Sequence, residues 1–511
     1  MTSPWLSESG SSSAKLVILL GAIEKEVLLK EIDLFPAGVL WIGSGVVSDD
    51  FSFPNLRKIN SRDELDKISE SLYEFFALDY NEMPMVKVSN MNQETDCEFH
   101  LKTLKFISEK IDSVSRARRT RSSTGMQRQE QIFKNLPGYL LSRIPNEWST
   151  LASRSVAVVV GAGPSLDYTL PLLRTGLVKP VIIAADSSLR ALNKLGIKPD
   201  FVVSIDPNKD FANCSTPDFC PGIVILSSQS HPSWRDAWKD KVRFSSGRVL
   251  TEDWLAENGI GKTPFTAKSN SGLTALSFAD FLNPAVVIMV GMDLSGGKGG
   301  AQRYAKSTGR AHIEIHASNI HKVPGNYETE VLTPFFSDWS ETSSETFNIS
   351  KRRLVLNFND RGAQLQGCTL IHPDEVDEMK KAVNESILPF KTEVSLLSKK
   401  RKVDGVGMEQ ILTLLTNHCD RIWNEFPHDP EIENSMKYLK SLLADRDTAK
   451  LVGDFAFVIM PFLHSDQKFP QDQLIKTIIY LKKIVWLLED SILECSDSEE
   501  FLIRFLTGQN N

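Results

Sequence analysis

Ser155-Val156-Ala157-Val158-Val159-Val160-Gly161-Ala162-Gly163-Pro164-Ser165-Leu166-Asp167 is the stretch that decides how this chain folds. An apolar run from Val156 to Val160 enters a glycine-rich turn, and a helical pattern follows. The run is unbroken rather than alternating, which suits a strand covered on both faces, as in a parallel sheet. Gly161 and Gly163 let the backbone turn sharply and approach a ligand without a Cβ in the way. Ser165 is placed to cap the next helix, whose first N–H groups point back at the turn. Such a turn is an anion seat. The helix dipole contributes only about 0.3–1 kcal/mol, whereas micromolar binding needs about 8 kcal/mol. Other parts of the chain must supply most of the grip.

At 511 residues the chain is too long for one ordinary core, and about three domains are expected. Charged residues at 24% and hydrophobic ones at 41% make an ordinary globular mixture. A net charge of −7 argues against a general nucleic-acid binder. Six cysteines are scattered without a Cys-x-x-Cys pair, which fits a reduced, cytoplasmic setting without disulfide framework or zinc finger. The early apolar run Leu16 to Ile23 has no basic segment before it and is too short to span a bilayer. It reads as a strand, and no membrane association is expected.

The pattern divides the chain into a small α/β N-terminal domain (1–97), a helical connector (98–150), a Rossmann-like core (151–373) and a helical C-terminal domain (374–511). Residues 1–13 are Ser-rich and read as a loose terminus. Strand-like runs at Lys15–Gly21, Ala37–Gly43 and Met85–Val88 alternate with helical patterns at Glu24–Ile32 and Asp63–Phe76. In the connector, Arg116, Arg118, Arg119 and Arg121 form either a phosphate-touching patch or a solvated, flexible stretch with Ser122-Ser123-Thr124-Gly125. The core repeats strand candidates at Val156–Val160, Val181–Ala185, Phe201–Ser204, Ile223–Leu226 and Ala285–Val290, with helices between most of them. That alternation predicts an α/β fold with a central doubly wound parallel sheet. After residue 375 the strand signals vanish, and the tail reads as an all-α bundle.

Ligands of open α/β sheets sit outside the carboxyl ends of the strands, so the residues after each strand carry the functional signal. They are Gly161, Gly163 and Ser165; Asp186 and Ser187; Asp206 and Asn208; Ser227–His231; and Gly291 with Asp293. Ser269-Asn270-Ser271-Gly272 opens the helix before the fifth strand. Each has a plainer reading. Asp186 or Ser187 serves equally as a helix cap, Asp206-Pro207 is a common turn starter, and Ser269–Gly272 makes a good N-cap by itself. Their convergence on one edge makes the binding site.

Three lookalikes are set aside. The first turn resembles a dinucleotide fingerprint, but Leu166 replaces the third glycine and Pro164 stiffens the turn. Gly261-Lys262-Thr263 resembles the end of a P-loop, yet Ala256 stands where a glycine is required and Pro264 follows. His312 and His316 alternate onto one face of a strand-like run but lack a clear third metal ligand.

Residues 161–167, 184–188 (Ala-Ala-Asp-Ser-Ser), 199–207 (Pro-Asp-Phe-Val-Val-Ser-Ile-Asp-Pro), 269–272, 291–295 and the later Asn357, Gly362-Ala363 and Gly367 together resemble the motility-associated factor (Maf) glycosyltransferases. The likeness covers about residues 133–370, with Asn135-Leu136-Pro137 as the lead-in. The core is also similar to bacterial sialyltransferases and to hydroxymethylpterin diphosphokinases. The resemblance implies transfer of a pseudaminic- or legionaminic-type nonulosonic acid from a CMP-activated donor to Ser or Thr of flagellin. It implies that Gly161, Gly163, Pro164 and Ser165 contact the nucleotide. Asp186 with Ser187 and Asn208 would lie near nucleotide or sugar, and Ser269, Asn270, Ser271 and Gly272 would hold the donor's phosphate or carboxylate. Gly291 lies in the same donor-binding set. Asp206 and Asp293 would line the pocket floor with catalytic roles, and His321, ahead of His231, is the nearest counterpart of a catalytic histidine.

Transfer from a CMP-sugar needs stabilisation of the leaving phosphate and a general base near the acceptor hydroxyl. No obligatory metal or other cofactor is expected beyond the donor; Mg²⁺ held against the phosphate is the alternative arrangement. Two other readings stay open: ATP- and Mg²⁺-dependent diphosphoryl transfer of the hydroxymethylpterin kinase type, and a non-catalytic flagellin-binding motility factor.

Overall fold

A computed structural model of the chain describes residues 4–9, 16–35, 38–43, 53, 55–59, 84–90, 103, 123–296, 302–310, 320–391, 394–427, 432–463 and 471–496. Two compact units account for them: Met1–Met126 with Asp454–Leu474, and Gln127–Gly453 with Ile475–Asn511.

In the first unit the short β-favouring runs become β1 (Trp5–Ser9), β2 (Leu16–Leu20), β3 (Gly38–Ile42), β4 (Leu56–Ile59) and β5 (Met85–Ser89), ordered β1-β5-β2-β3-β4. All pairs are parallel except β1 with β5. The helix Lys25–Leu34 buries Leu28 and Ile32 in a cluster with Val17, Leu19, Val39 and Trp41. β1 corrects the expectation of a loose terminus. Its five residues, Trp5-Leu6-Ser7-Glu8-Ser9, carry only a short apolar signal; it is an edge strand held by backbone pairing with β5 and by Trp5 against the core. The expected helix Asp63–Phe76 and the arginines at 116, 118, 119 and 121 lie outside the described residues.

The second unit is built on β6 (Val156–Val160), β7 (Val181–Ala185), β8 (Phe201–Ser204), β9 (Ile223–Ser227), β10 (Val242–Ser245), β11 (Val286–Val290), β14 (Leu354–Phe358) and β15 (Thr369–Ile371), with an outlying hairpin of β12 (His321–Pro324) and β13 (Glu330–Thr333). The eight strands run β10-β9-β8-β7-β6-β11-β14-β15, every neighbour parallel. The five strands anticipated here all form, and their burial, complete but for Ile182, explains why they read as unbroken apolar runs. β10, β14 and β15 are additional. Arg243 and Asn357 interrupt the first two, and the third has three residues, so their apolar signal is weak. From β6 the chain winds outward to β10, then returns to β6's other side with β11, which makes the β6/β11 boundary the topological switch point.

The helix Ser271–Phe281 lies against β6, β7 and β8 and buries Leu273, Ala275, Leu276, Phe278 and Ala279 in one core with Val159, Ile183, Val203 and Met289. Trp148, Phe201, Phe265 and Phe278 pack edge to face around it. Residues 123–125, expected in a flexible stretch, are helical. The stretch 127–141 is packed into the unit, with Asn135 Nδ2 donating to the Ser228 and Ser230 carbonyls at 2.9 and 2.7 Å. Among the described residues the tail is helical throughout. Its part within the second unit is joined to the core: Ser491 Oγ donates to the Phe133 carbonyl (2.6 Å), and Lys450 pairs with Glu257 (2.5 Å). No described helix is long and apolar enough to cross a membrane.

Candidate functional site

At the switch point the turns after β6 and β11 lock together. Gly161 and Gly163 donate their N–H groups to the carbonyls of Val290 and Gly291, each at 2.8 Å. A Cβ at Gly161 would stand 2.4 Å from the Gly291 oxygen, and one at Gly163 would stand 2.5 Å from Asp293 Oδ2. The glycines are therefore needed for the approach of these two turns to each other. Ser165 is fully buried and its side chain does not cap the helix Leu166–Leu172, contrary to expectation. Instead Asp293 arrives from the neighbouring turn. It accepts the Ser165 N–H (2.7 Å), the Ser165 hydroxyl (2.5 Å) and the Asn359 amide (2.8 Å). The anion seat at the start of that helix is thus occupied by a carboxylate of the protein itself. Burial pushes the Asp293 carboxyl above its ordinary value, outweighing these donors. Leu294, next in the chain, sits at φ +46°, a strained conformation for a branched side chain.

One strand away a second buried aspartate has different company. Asp186, at the end of β7, accepts from the Ser187 N–H (2.6 Å), the Ser187 hydroxyl (2.9 Å), the Ser271 hydroxyl (2.9 Å), the Ser204 hydroxyl (3.2 Å) and the Lys209 ammonium (3.2 Å). Burial alone would raise its pKa, but Lys209 and the hydroxyl bonds outweigh that and hold it below the ordinary carboxylate range. Lys209 is desolvated too, yet Asp186, Tyr304 and Asp206 keep it charged by pushing its pKa up. Asp206 lies 3.9 Å from the ammonium, and its other bond is to the Asn208 N–H (2.9 Å), the turn-starter geometry.

The segment 302–310 roofs this edge. The Ala305 N–H donates to the Ala162 carbonyl (2.9 Å), and the Lys306 N–H donates to Asp167 (2.8 Å). Arg310 donates to the Ser187 hydroxyl (2.6 Å) and lies 4.8 Å over the Tyr304 ring. Arg303 lies 4.5 Å over the Phe335 ring. The helix Phe336–Ser350 adds an acidic face. Asp338, Glu341 and Glu345 accept from the Asn270 amide (3.0 Å), the Ser269 hydroxyl (2.5 Å) and the Ser277 hydroxyl (2.6 Å). Burial pushes Asp338 up, against the pull of Asn270, Arg303 and Lys209.

Of the residues singled out from sequence, Asp186, Ser187 and Ser271 meet in one cluster, and Gly161, Gly163, Ser165, Gly291 and Asp293 meet in another. Pro164 belongs to the same turn. Asn270 is an N-cap, accepting the Leu273 N–H at 2.8 Å, and Gly272 lies close to Met292. Asn208 is exposed, and His321 is exposed at the start of β12, its ring 4.9 Å from that of Phe336 and tilted by 36° to it. His231 shares a hydrogen bond with Ser233 (2.8 Å) beside the next helix. His312 and His316 lie outside the described residues. Among the described residues no group of three or more His, Cys, Asp or Glu side chains could hold a metal ion. Lys209, Arg303, Arg310, Asp338 and Asn359 are the members that sequence reasoning missed. Lys209 alone carried a signal, following the Asp206-Pro207-Asn208 turn; the arginines lie in an irregular stretch that only the fold carries back to the edge.

Residues 130–299 match the family model described as "6-hydroxymethylpterin diphosphokinase MptE-like". The solved Maf glycosyltransferase from Magnetospirillum magneticum AMB-1 superposes with a TM-score of 0.50, covering 98% of this chain and 84% of that one at 16% identity. Residues 130–299 thus resemble the MptE-like model, and the fold as a whole resembles that of the solved Maf enzyme. At that identity the likeness to the solved enzyme is one of fold alone. An N-terminal ketoreductase from a macrolactin assembly line reaches a TM-score of only 0.15, at 10% identity over 75% of this chain and 88% of that one, and carries no argument. No curated protein matches the sequence. The doubly wound sheet, with both aspartate clusters at its carboxyl edge, occupies the middle of the chain.

Proposed function

We propose that this chain is a cytoplasmic glycosyltransferase that moves a nonulosonic acid, of the pseudaminic or legionaminic type, from its CMP-activated form to Ser or Thr of flagellin. The observation that carries the reading is the set of cations, Lys209, Arg303 and Arg310, gathered at the carboxyl edge of the sheet beside the switch point. A CMP-nonulosonate is anionic at both its phosphate and its sugar carboxylate, so a cationic edge suits it. The Maf-like fold supports the same choice.

In this reading the Gly161–Ser165 and Gly291–Asp293 turns form the wall of the nucleotide pocket, and Asp186 keeps Lys209 charged and in place. Cations facing the phosphate stabilise the charge that develops as CMP leaves. Deprotonation of the acceptor hydroxyl falls to a carboxylate of the edge, Asp206 or Asp338, or to His321; Asp293 has both oxygens committed to Ser165 and Asn359. No metal is required.

The match to the MptE-like model favours a second reading, ATP- and Mg²⁺-dependent phosphoryl transfer. Its metal would need carboxylate oxygens, and those of Asp186 and Asp293 are held by protein donors. Isothermal titration of the purified chain with CMP, CDP, and ATP with Mg²⁺ separates the two. Binding of CMP without metal is expected; binding of ATP with Mg²⁺ alone would establish the second reading, and no nucleotide binding would overturn both.

A further inference from the structure

We propose that Arg303 and Arg310 form a two-armed clamp for an oxyanion carried by the donor, and that this clamp, rather than the serine-rich turns, recognises the ligand's charge. The inference rests on the glycosyltransferase reading for the identity of the ligand, but not for the existence of the clamp.

The hydroxyls and amides at this edge are already engaged. Ser165 is bonded to Asp293, Ser271 and Ser187 to Asp186, and Asn270 to Asp338 and the Leu273 N–H. Lys209 is paired with Asp186 at 3.2 Å. The two arginines differ. Each guanidinium carries five N–H donors. Among the described residues neither forms an ion pair with a carboxylate: Arg310 donates to the Ser187 hydroxyl and reaches the Cys214 sulfur at 3.9 Å, and Arg303 rests on the Phe335 ring with its Nε buried and unpartnered. Both side chains are half-buried.

They also sit close to like charge. Arg310 and the Lys209 ammonium both donate to the Ser187 hydroxyl, at 2.6 and 3.2 Å, and Arg303 lies over Phe335, three residues before the Asp338 that accepts from Asn270. Cations gathered with free donors are stabilised when an anion arrives, and a planar fork suits the two oxygens of a carboxylate or a phosphate. The aromatic rings of Tyr304 and Phe335 fix the planes of the two forks. Both arginines belong to the segment 302–310, which backbone bonds to Ala162 and Asp167 fasten over the site, so the clamp is held in position without a ligand.

The oxyanion is the donor's phosphate or its sugar carboxylate, and cytidine, CMP and CMP-N-acetylneuraminate distinguish them. Arg303→Gln and Arg310→Gln are each expected to weaken CMP-N-acetylneuraminate by roughly 10–100-fold, the loss of a charge-assisted pair, while leaving cytidine unchanged. An equal loss for CMP identifies the phosphate; unchanged CMP identifies the carboxylate. Arg310→Lys, which keeps the charge but not the fork, should recover less than half of the lost binding energy, and circular dichroism checks that each variant is folded. Both glutamine variants binding CMP-N-acetylneuraminate within threefold of the natural chain would overturn the clamp. If the natural chain binds no cytidine ligand, the donor assignment fails, and pyrophosphate tests the clamp separately. A rise in melting temperature with pyrophosphate that either glutamine variant abolishes sustains it, and no rise refutes it.

Discussion

Asp186 and Asp293 stand on either side of β6, each at the carboxyl end of a parallel strand and each excluded from solvent. Their surroundings separate them. Asp293 is bonded by an N–H, a hydroxyl and an amide, all neutral, and burial pushes its carboxyl up. Asp186 has neutral donors too, but also the Lys209 ammonium, and is held down. The first is a pin between two turns at the switch point. The second is the anchor of a charged group that faces the open edge. Equivalent positions at the end of a strand therefore do different work, and the partner decides which.

The largest effect is expected at Asp186. Replacing it with alanine strands the largely buried Lys209 ammonium and should destabilise the unit by about 3–5 kcal/mol, read from the urea midpoint. Adding Lys209→Met should return part of that loss, because the stranded charge goes with it. A single variant within about 1 kcal/mol of the natural chain would show that the pair is not the anchor described.

The pin is tested by Gly163→Ala. The added methyl meets Asp293 Oδ2 at 2.5 Å and the Gly291 oxygen at 2.8 Å, and overpacking of this kind costs about 1–3 kcal/mol. Thermal unfolding measures it, and an unchanged midpoint would mean the turns separate freely. Asp293→Asn should cost about as much or slightly less, roughly 1–2 kcal/mol, since its NH₂ must face either the Ser165 N–H or the donors at the other oxygen. Crystallography of that variant should find Ser165 or Asn359 turned away.

The smallest effect is in pH. Asp186, held below 3.8, contributes stability that is complete above that value and is lost as pH falls through the lowered one. Asp293, pushed above 3.8, contributes stability that is present below that value and is lost as pH rises through the raised one. Urea midpoints in the acid range should therefore lose their low-pH fall in Asp186→Asn, and their decline above 3.8 in Asp293→Asn. Identical profiles for the two variants would erase the distinction.

Much of this was legible in the sequence because buried parallel strands announce themselves as unbroken apolar runs. Val156–Val160 and its successors did so, and the polar turns after them did mark the edge. The strands at the sheet's margins did not, since Arg243 and Asn357 are polar and β15 is short. Within the site, sequence could find Asp186, Ser187 and Ser271 as neighbours of strand ends. It could not tell that the Ser204 and Ser271 hydroxyls would close on Asp186, because those bonds join residues 18 and 85 positions apart. Arg303 and Arg310 were invisible for the same reason: they reach the edge through a loop with no periodicity of its own. The glycines illustrate a subtler limit. Gly161 and Gly163 signal close approach, and the approach is to the β11 turn.

In the proposed function this charged edge holds an activated acidic sugar for transfer to a protein. That transfer is tested most directly by incubating purified flagellin with the chain and a CMP-nonulosonate, then measuring the mass of the intact flagellin. The added mass of nonulosonic acid residues is expected with the natural chain and none with the Arg303→Gln, Arg310→Gln double variant. Flagellin unchanged by the natural chain across CMP-pseudaminate and CMP-legionaminate, or modified equally by the double variant, would contradict it.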